Sequence, residues 1–230
     1  MSRTPRTRAV RPPRARAAAR RVTLAAAALL VCAGAAQAAD ALAPCRDLAR
    51  TPAAARLLAL ARAAMESYWS GAPVDTAGVP DWPGEPGALY VSLARGRATR
   101  ACVGSVVPPR GPLAECVRAL ALDALRADPR RPPVRREELA GLRVVIAFAG
   151  EAREVADPLS VDPGREGLLV GSARGHVAFL PGEARTVSWA LREARRSGLL
   201  EGPLDCYRFP AVVIAEPEPP ARGETHDEDP

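Results

Sequence analysis

The sequence predicts an α+β fold built mainly from antiparallel sheet with flanking helices. Three observations lead there. Two pairs of short apolar runs are each joined by a tight turn, at Ala94-Arg95-Gly96-Arg97 and around Ala173-Arg174-Gly175. A hairpin of this kind pairs its strands antiparallel. The segments with helical periodicity are fewer than the strands and do not alternate with them, as a doubly wound sheet requires.

The elements follow in order. Thr51-Pro52 opens a helix, with Thr51 as N-cap and proline in the first turn, where its missing N–H costs nothing. Leu57, Ala61, Met65 and Tyr68 recur at helical spacing, and Gly71 ends the run. From Gly71 to Gly87 glycine and proline predict a surface loop that Trp82 pins down. Leu89 to Leu93 and Ala98 to Val106 form the first hairpin. A helix runs from Leu113 to Arg126 with Val117, Leu120, Ala121 and Leu125 on one face, and Leu142 to Phe148 is an apolar strand. Gly167 to Gly171 and Val177 to Leu180 make the second hairpin. Glu183 to Arg196 is a helix stopped by Gly198, and Leu204 to Ile214 is a last strand in which Pro210 marks an edge or bulge.

The ends of the chain differ from the middle. Residues 1–38 carry eight arginines between Arg3 and Arg21, then an apolar run from Val22 to Ala36, then Ala36-Gln37-Ala38. Basic, apolar and small residues in that order describe a signal peptide, and the apolar run is shorter than the roughly 20 residues a membrane span needs. Arg20-Arg21-Val22-Thr23-Leu24 matches part of a twin-arginine signal. Leu29-Leu30-Val31-Cys32 resembles an acylation site, but Val31 fits poorly, so a lipid anchor at Cys32 ranks below simple cleavage. The expected product is exported, periplasmic or extracellular, and begins near Ala39. Residues 39–52 then read as an N-terminal extension, 53–214 as the domain, and 215–230 as an acidic, proline-rich tail that cannot bury a core and should be disordered.

Cleavage changes the charge. The whole chain has 32 basic and 26 acidic residues, net +6; without the leader 24 bases face 26 acids, net −2. A nucleic-acid protein should keep a basic face, so none is expected as partner. No apolar run after Ala38 is long enough to span a membrane. The chain contains no lysine, which excludes Schiff-base, Ser-Lys and P-loop chemistry. Four cysteines remain after cleavage, Cys45, Cys102, Cys116 and Cys206, spaced too widely for a CxxC pair or a zinc knuckle. With only His176 and His226 beside them, no metal site and no cofactor are expected.

Strand parity supplies a candidate site. In the second strand of the first hairpin, Arg100, Cys102 and Gly104 fall on one face and Thr99, Ala101, Val103 and Ser105 on the other. A guanidinium beside a thiol favours the thiolate, and Gly104 lets a ligand approach the backbone. Cys102 is thus the candidate nucleophile, and Arg100, Gly104 and Arg130 are the candidate ligand-binding residues. The plainer alternative is that Cys102 packs in the core, as buried cysteines commonly do, and that Arg100 only pairs with a nearby acid. Arg130, held by prolines just past a helix end, either lines an anion cleft or pairs with Asp128. Glu115 favours the dipole of its helix and needs no further role. His176, in a turn, is a remote candidate for a dyad with Cys102.

These residues carry a family resemblance. Arg100-Ala101-Cys102-Val103-Gly104, Pro112-Leu113, Asp128-Pro129-Arg130-Arg131-Pro132-Pro133 and Phe179-Leu180-Pro181 stand in the order and spacing of the AMMECR domain family, over roughly Ala53 to Ile214. The chain departs from the family pattern at Ala101, Arg131 and Gly182-Glu183. The resemblance implies two subdomains with a cleft between them near Cys102, and it implies no established activity. Bacterial relatives are associated with a Memo-like protein and a radical SAM enzyme, a partnership not expected of an exported copy. A cleft taking a small anionic ligand or a peptide end is the first functional reading, and a Cys102-dependent enzyme is the second. The third is structural, with disulfides Cys102–Cys116 and Cys45–Cys206. The former would close a loop of about 15 residues, worth about 3 kcal/mol in the chain-entropy account.

Overall fold

The structure is a computed structural model that describes residues 41–105 and 108–219. The leader with Cys32, and the tail from residue 220 with His226, lie outside the described residues. The order of elements is α1 (Ala43–Ala49), α2 (Pro52–Ser70), β1 (Ala88–Arg95), β2 (Ala98–Gly104), α3 (Leu113–Arg126), α4 (Arg136–Leu139), β3 (Arg143–Ala149), β4 (Arg153–Glu154), a 3-10 turn (Pro158–Ser160), β5 (Gly167–Ser172), β6 (Gly175–Phe179), α5 (Val187–Arg196), β7 (Asp205–Phe209) and β8 (Ala211–Ala215).

All strand pairs are antiparallel, in two four-stranded sheets ordered β2-β1-β3-β8 and β4-β7-β5-β6. The α+β expectation holds. Alternation along β1 sends Leu89, Val91 and Leu93 to a core shared with α2 and α3. Ala88 and Tyr90 point the opposite way, into a thin layer between the two sheets that also holds Cys102, Ala147, Leu180 and Phe209. Tyr90 stacks on Phe209 there, with ring centroids 6.0 Å apart. The far face of the second sheet carries Leu168, Val170, Val177 and Phe179, covered by Val187, Ala190 and Ala194 of α5. The layers therefore run helices, sheet, sheet, helix.

The helix signals act as expected. The Thr51 hydroxyl accepts from Ala53 N at 3.3 Å, and Gly71 closes α2 in the left-handed region at φ 69°. Tyr68 departs from the predicted stripe: it is 50 % exposed, while Leu57, Ala61 and Met65 are fully buried. Residues 39–52 include α1, whose Cys45 and Leu48, with the preceding Leu42, belong to the first core, so this extension packs into the domain.

The last predicted strand is two strands. Proline at 210 lacks an N–H for either ladder, and the chain passes there from the second sheet (β7) to the first (β8). The strand paired with it does the same between β3 and β4, and Gly150 N donates to Pro210 O at 2.8 Å at the crossing. A Cβ at Gly150 would stand 2.9 Å from the Pro210 ring, which explains the glycine. After β8, Glu216 bonds Arg62 and accepts from Val144 N at 2.7 Å, so the beginning of the predicted disordered tail is fixed to the fold.

Candidate functional site

The site begins with an irregularity in the first hairpin. Ser92 pairs with Cys102 and Leu93 with Ala101, but Ala94 pairs with Thr99, leaving Arg100 as the extra residue of a β-bulge. A bulge inverts the parity beyond it. Thr99, rather than Arg100, therefore shares the face of Cys102, which corrects the grouping drawn from strict alternation. Arg100 turns instead to α4: its Nε donates to Glu138 Oε2 at 2.7 Å and its Nη2 to Oε1 at 3.2 Å. It also holds the carbonyls of Pro132 and Pro133. These bonds keep the Glu138 carboxyl down at about 2. Arg100 thus clamps β2 to α4 and to the proline loop.

Gly104 is also bare for a structural reason. It stands opposite Tyr90, and a Cβ there would lie 2.0 Å from Cδ1 of that ring. The missing side chain makes room for the tyrosine, not for a ligand.

Cys102 sits on β2 in the layer between the sheets, 7 % exposed. Its backbone N–H donates to Asp128 Oδ2 at 2.8 Å, and its carbonyl accepts from Arg130 Nη2 at 3.4 Å. Burial, then the charge of Glu183, push the thiol up to about 12, and the opposing pull of the Ser92 hydroxyl and of Arg130 is weaker. A thiol held protonated is a poor nucleophile. That removes the basis of the thiolate expectation, since the arginine meant to stabilise it points elsewhere. His176 is no substitute base: it is exposed at the start of β6 and borders another depression with Asp205 and Tyr207.

The four cysteines of the described residues are free thiols. Neither expected disulfide is present. Cys45 lies in the first core, where its Sγ donates to Pro83 O at 3.2 Å, and Cys206 lies in the core beneath α5, on the other side of both sheets. Cys102 faces the layer between the sheets, whereas Cys116 packs against the opposite side of the first sheet, with its Sγ at Arg110 O.

Arg130 is anchored by the loop that follows α3. Asp128 Oδ1 accepts from Arg130 N at 2.8 Å and from its Nε at 3.1 Å, and Oδ2 accepts from Nη2 at 3.1 Å. Burial alone would raise the Asp128 carboxyl, but these bonds and the arginine charge hold it below its usual value. Both alternatives for Arg130 thus coexist: it pairs with Asp128, and it lines a cleft.

That cleft has a volume of about 740 Å³ and lies between the tip of the β1–β2 hairpin on one side and β6 with α5 on the other. Six arginines line it: Arg95, Arg97, Arg130, Arg131, Arg185 and Arg196. Three carboxylates oppose them, Asp128, Glu183 and Glu193. Asp128 is taken by Arg130, and Glu193 is shared by Arg131 at 3.2 Å and Arg196 at 3.8 Å. Among the described residues, Arg95, Arg97 and Arg185 have no carboxylate within 4.0 Å. Val177, Phe179 and Trp189 form an apolar wall. Glu183 accepts from Leu180 N at 2.9 Å and from the Thr99 hydroxyl, and burial raises its carboxyl.

Of the residues singled out in the sequence, the structure places Arg130 in this cleft and Cys102 just behind it. Arg100 and Gly104 are elsewhere. Glu115 pairs with Arg118 at 2.6 Å on the α3 surface. The sequence pattern does not single out Thr99, Glu183, Arg185 or Trp189, and it presents Arg95 and Arg97 only as turn residues. The available signal was two arginines flanking a glycine at a hairpin tip. Among the described residues no cluster of His, Cys, Asp or Glu could hold a metal ion, and no helix is long and apolar enough to cross a membrane.

Two antiparallel sheets packed back to back between helices, with an arginine-lined cleft at one end, define a small α+β protein of the AMMECR kind. The family model for AMMECR1 matches residues 58–204, and the chain belongs to that family. It is 35 % identical over 155 residues to a protein of Aeropyrum pernix, a match covering 59 % of this chain and 67 % of that one. It is 31 % identical over 197 residues to a protein of Methanothermobacter thermautotrophicus, covering 74 % and 95 %. The fold is similar to the crystal structure of the uncharacterized protein PH0010 from Pyrococcus horikoshii, with a TM-score of 0.53, 25 % identity, and 71 % and 91 % of the two chains covered.

Proposed function

We propose that this AMMECR1-family protein binds a small anionic ligand in the cleft between its sheets. The observation that carries the reading is the surplus of guanidinium groups: Arg95, Arg97 and Arg185 line the cleft and have no acidic partner among the described residues. Guanidinium groups grip carboxylate and phosphate oxygens through paired hydrogen bonds. The cleft also lies within the 300–1,000 Å³ range of small-molecule sites. Isothermal titration with inorganic pyrophosphate tests this. Binding is expected at low ionic strength, weaker as salt screens the exposed arginines, and absent from the triple variant Arg95→Ala/Arg97→Ala/Arg185→Ala. Equal affinity of the triple variant and the parent protein would overturn the proposal.

The export reading belongs with it. The chain is proposed to be an exported bacterial member of the family, cleaved after Ala38, on the strength of the arginine-rich, apolar and small-residue succession in residues 1–38. N-terminal sequencing of the protein from the producing cell is expected to begin at Ala39; a protein still beginning at the initiator region would overturn it.

A further inference from the structure

We infer that the ligand of this cleft is of the nucleoside diphosphate class: a diphosphate head on the arginine rim and a planar body against the Trp189 indole. The inference rests on the anion reading above and deepens it.

The charge balance selects the head. Arg130 is matched by Asp128, and Arg131 and Arg196 share Glu193. The three unmatched guanidiniums come from both sides of the cleft. Arg95 and Arg97 flank Gly96 at the hairpin tip of the first sheet, and Arg185 precedes Thr186, the N-cap of α5 beside the second sheet. A single carboxylate would satisfy one such fork and leave the others without a counter-charge. A diphosphate carries two to three negative charges on separate oxygens and can meet more than one fork.

The remaining walls select the body. A cleft of about 740 Å³ holds far more than a diphosphate. Its apolar side is the partly buried Trp189, backed by Val177 and Phe179, which at 3 % and 2 % exposed belong to the core under α5. The rings of Phe179 and Trp189 meet edge to face, centroids 5.9 Å apart at 70°, an arrangement that fixes the indole plane. An indole so held is a stacking platform for a flat ring. At the inner end, the Thr99 hydroxyl and the Glu183 carboxyl offer hydrogen bonds to polar atoms on that ring or its sugar.

The test compares four probes on the full protein by isothermal titration: pyrophosphate, the diphosphates ADP and UDP, and adenosine. ADP and UDP are expected to bind at least tenfold more tightly than pyrophosphate, and adenosine more weakly than either diphosphate. Trp189→Leu is expected to bring ADP down to the level of pyrophosphate while leaving pyrophosphate itself unchanged. If ADP and UDP bind no more tightly than pyrophosphate, the nucleotide inference falls and the anion reading stands. If neither pyrophosphate nor the nucleotides bind, both fall. The comparison among probes on the unaltered protein decides the matter even where the Trp189 variant does not fold.

Discussion

Replacing Asp128 with alanine removes the group on which the inner end of the cleft is built. Its carboxylate is 6 % exposed as a residue and accepts from the backbone N–H of Cys102, the backbone N–H of Arg130 and two guanidinium nitrogens. The Arg130 side chain is 16 % exposed, so alanine leaves a largely buried cation without its partner. Breaking a buried pair from one side costs about 3–5 kcal/mol. With a urea dependence of roughly 2–3 kcal/mol per molar, that lowers the unfolding midpoint by about 1–2 M. Urea titration followed by circular dichroism checks it, with Asp128→Ala/Arg130→Met as the comparison. The double variant should recover part of the loss because no buried charge remains unpaired. A midpoint within about 0.3 M of the parent for Asp128→Ala, or a double variant as unstable as the sum of the singles, would refute the reasoning. The pH dependence has a definite sign. The folded-state pKa of Asp128 is depressed, so its contribution is present above the usual carboxylate value and is lost as pH falls through the depressed one. The alanine variant should lack this part of the acid sensitivity.

Arg100→Ala is expected to cost about 1–3 kcal/mol, since it strips Glu138 of a paired hydrogen bond, and to leave pyrophosphate affinity unchanged in calorimetry. Gly104→Ala forces the Tyr90 ring aside and should destabilise by about 1–3 kcal/mol in a thermal melt, with no specific loss of ligand binding. Under native conditions a maleimide should label the half-buried Cys116 well before the buried Cys45, Cys102 and Cys206; once the chain is unfolded, all four should label without reductant, as mass spectrometry would show. Glu183→Gln should stabilise the protein at neutral pH and tighten pyrophosphate binding. The folded-state pKa of Glu183 is raised, so the ionised form costs stability as pH rises above the usual carboxylate value, and its charge opposes an anion.

Much of the fold was legible because its signals are local. Thr51-Pro52, Gly71 and the two hairpin turns act where they stand. Pro210 was legible as an interruption, but that the chain changes sheets there depends on the pairing of β7 and β8 with separate partners, which no local pattern carries. The site was less legible for a similar reason. A single bulged residue, Arg100, reversed the parity on which the grouping with Cys102 relied. The cleft arginines 95, 97 and 185 lie at a hairpin tip and in a turn, where sequence shows a charge but not which charges converge. The pairing of Arg130 with Asp128 was legible because it is local, two residues apart; that Cys102 and Glu183 join them was set by tertiary packing.

The crossing at Gly150 and Pro210 also governs when the protein can become folded at all. The ribbon that turns there supplies β7, an inner strand of one sheet, and β8, an edge of the other, and both come from the last stretch of the described chain. During synthesis from the N-terminus neither sheet can be completed until residues 205–215 have emerged. A chain stopped before them would hold two unfinished sheets instead of one finished half. The protein should therefore fold late and as one cooperative unit, with no stable fragment corresponding to either sheet, and a shortened chain should present itself to proteases as unfolded throughout.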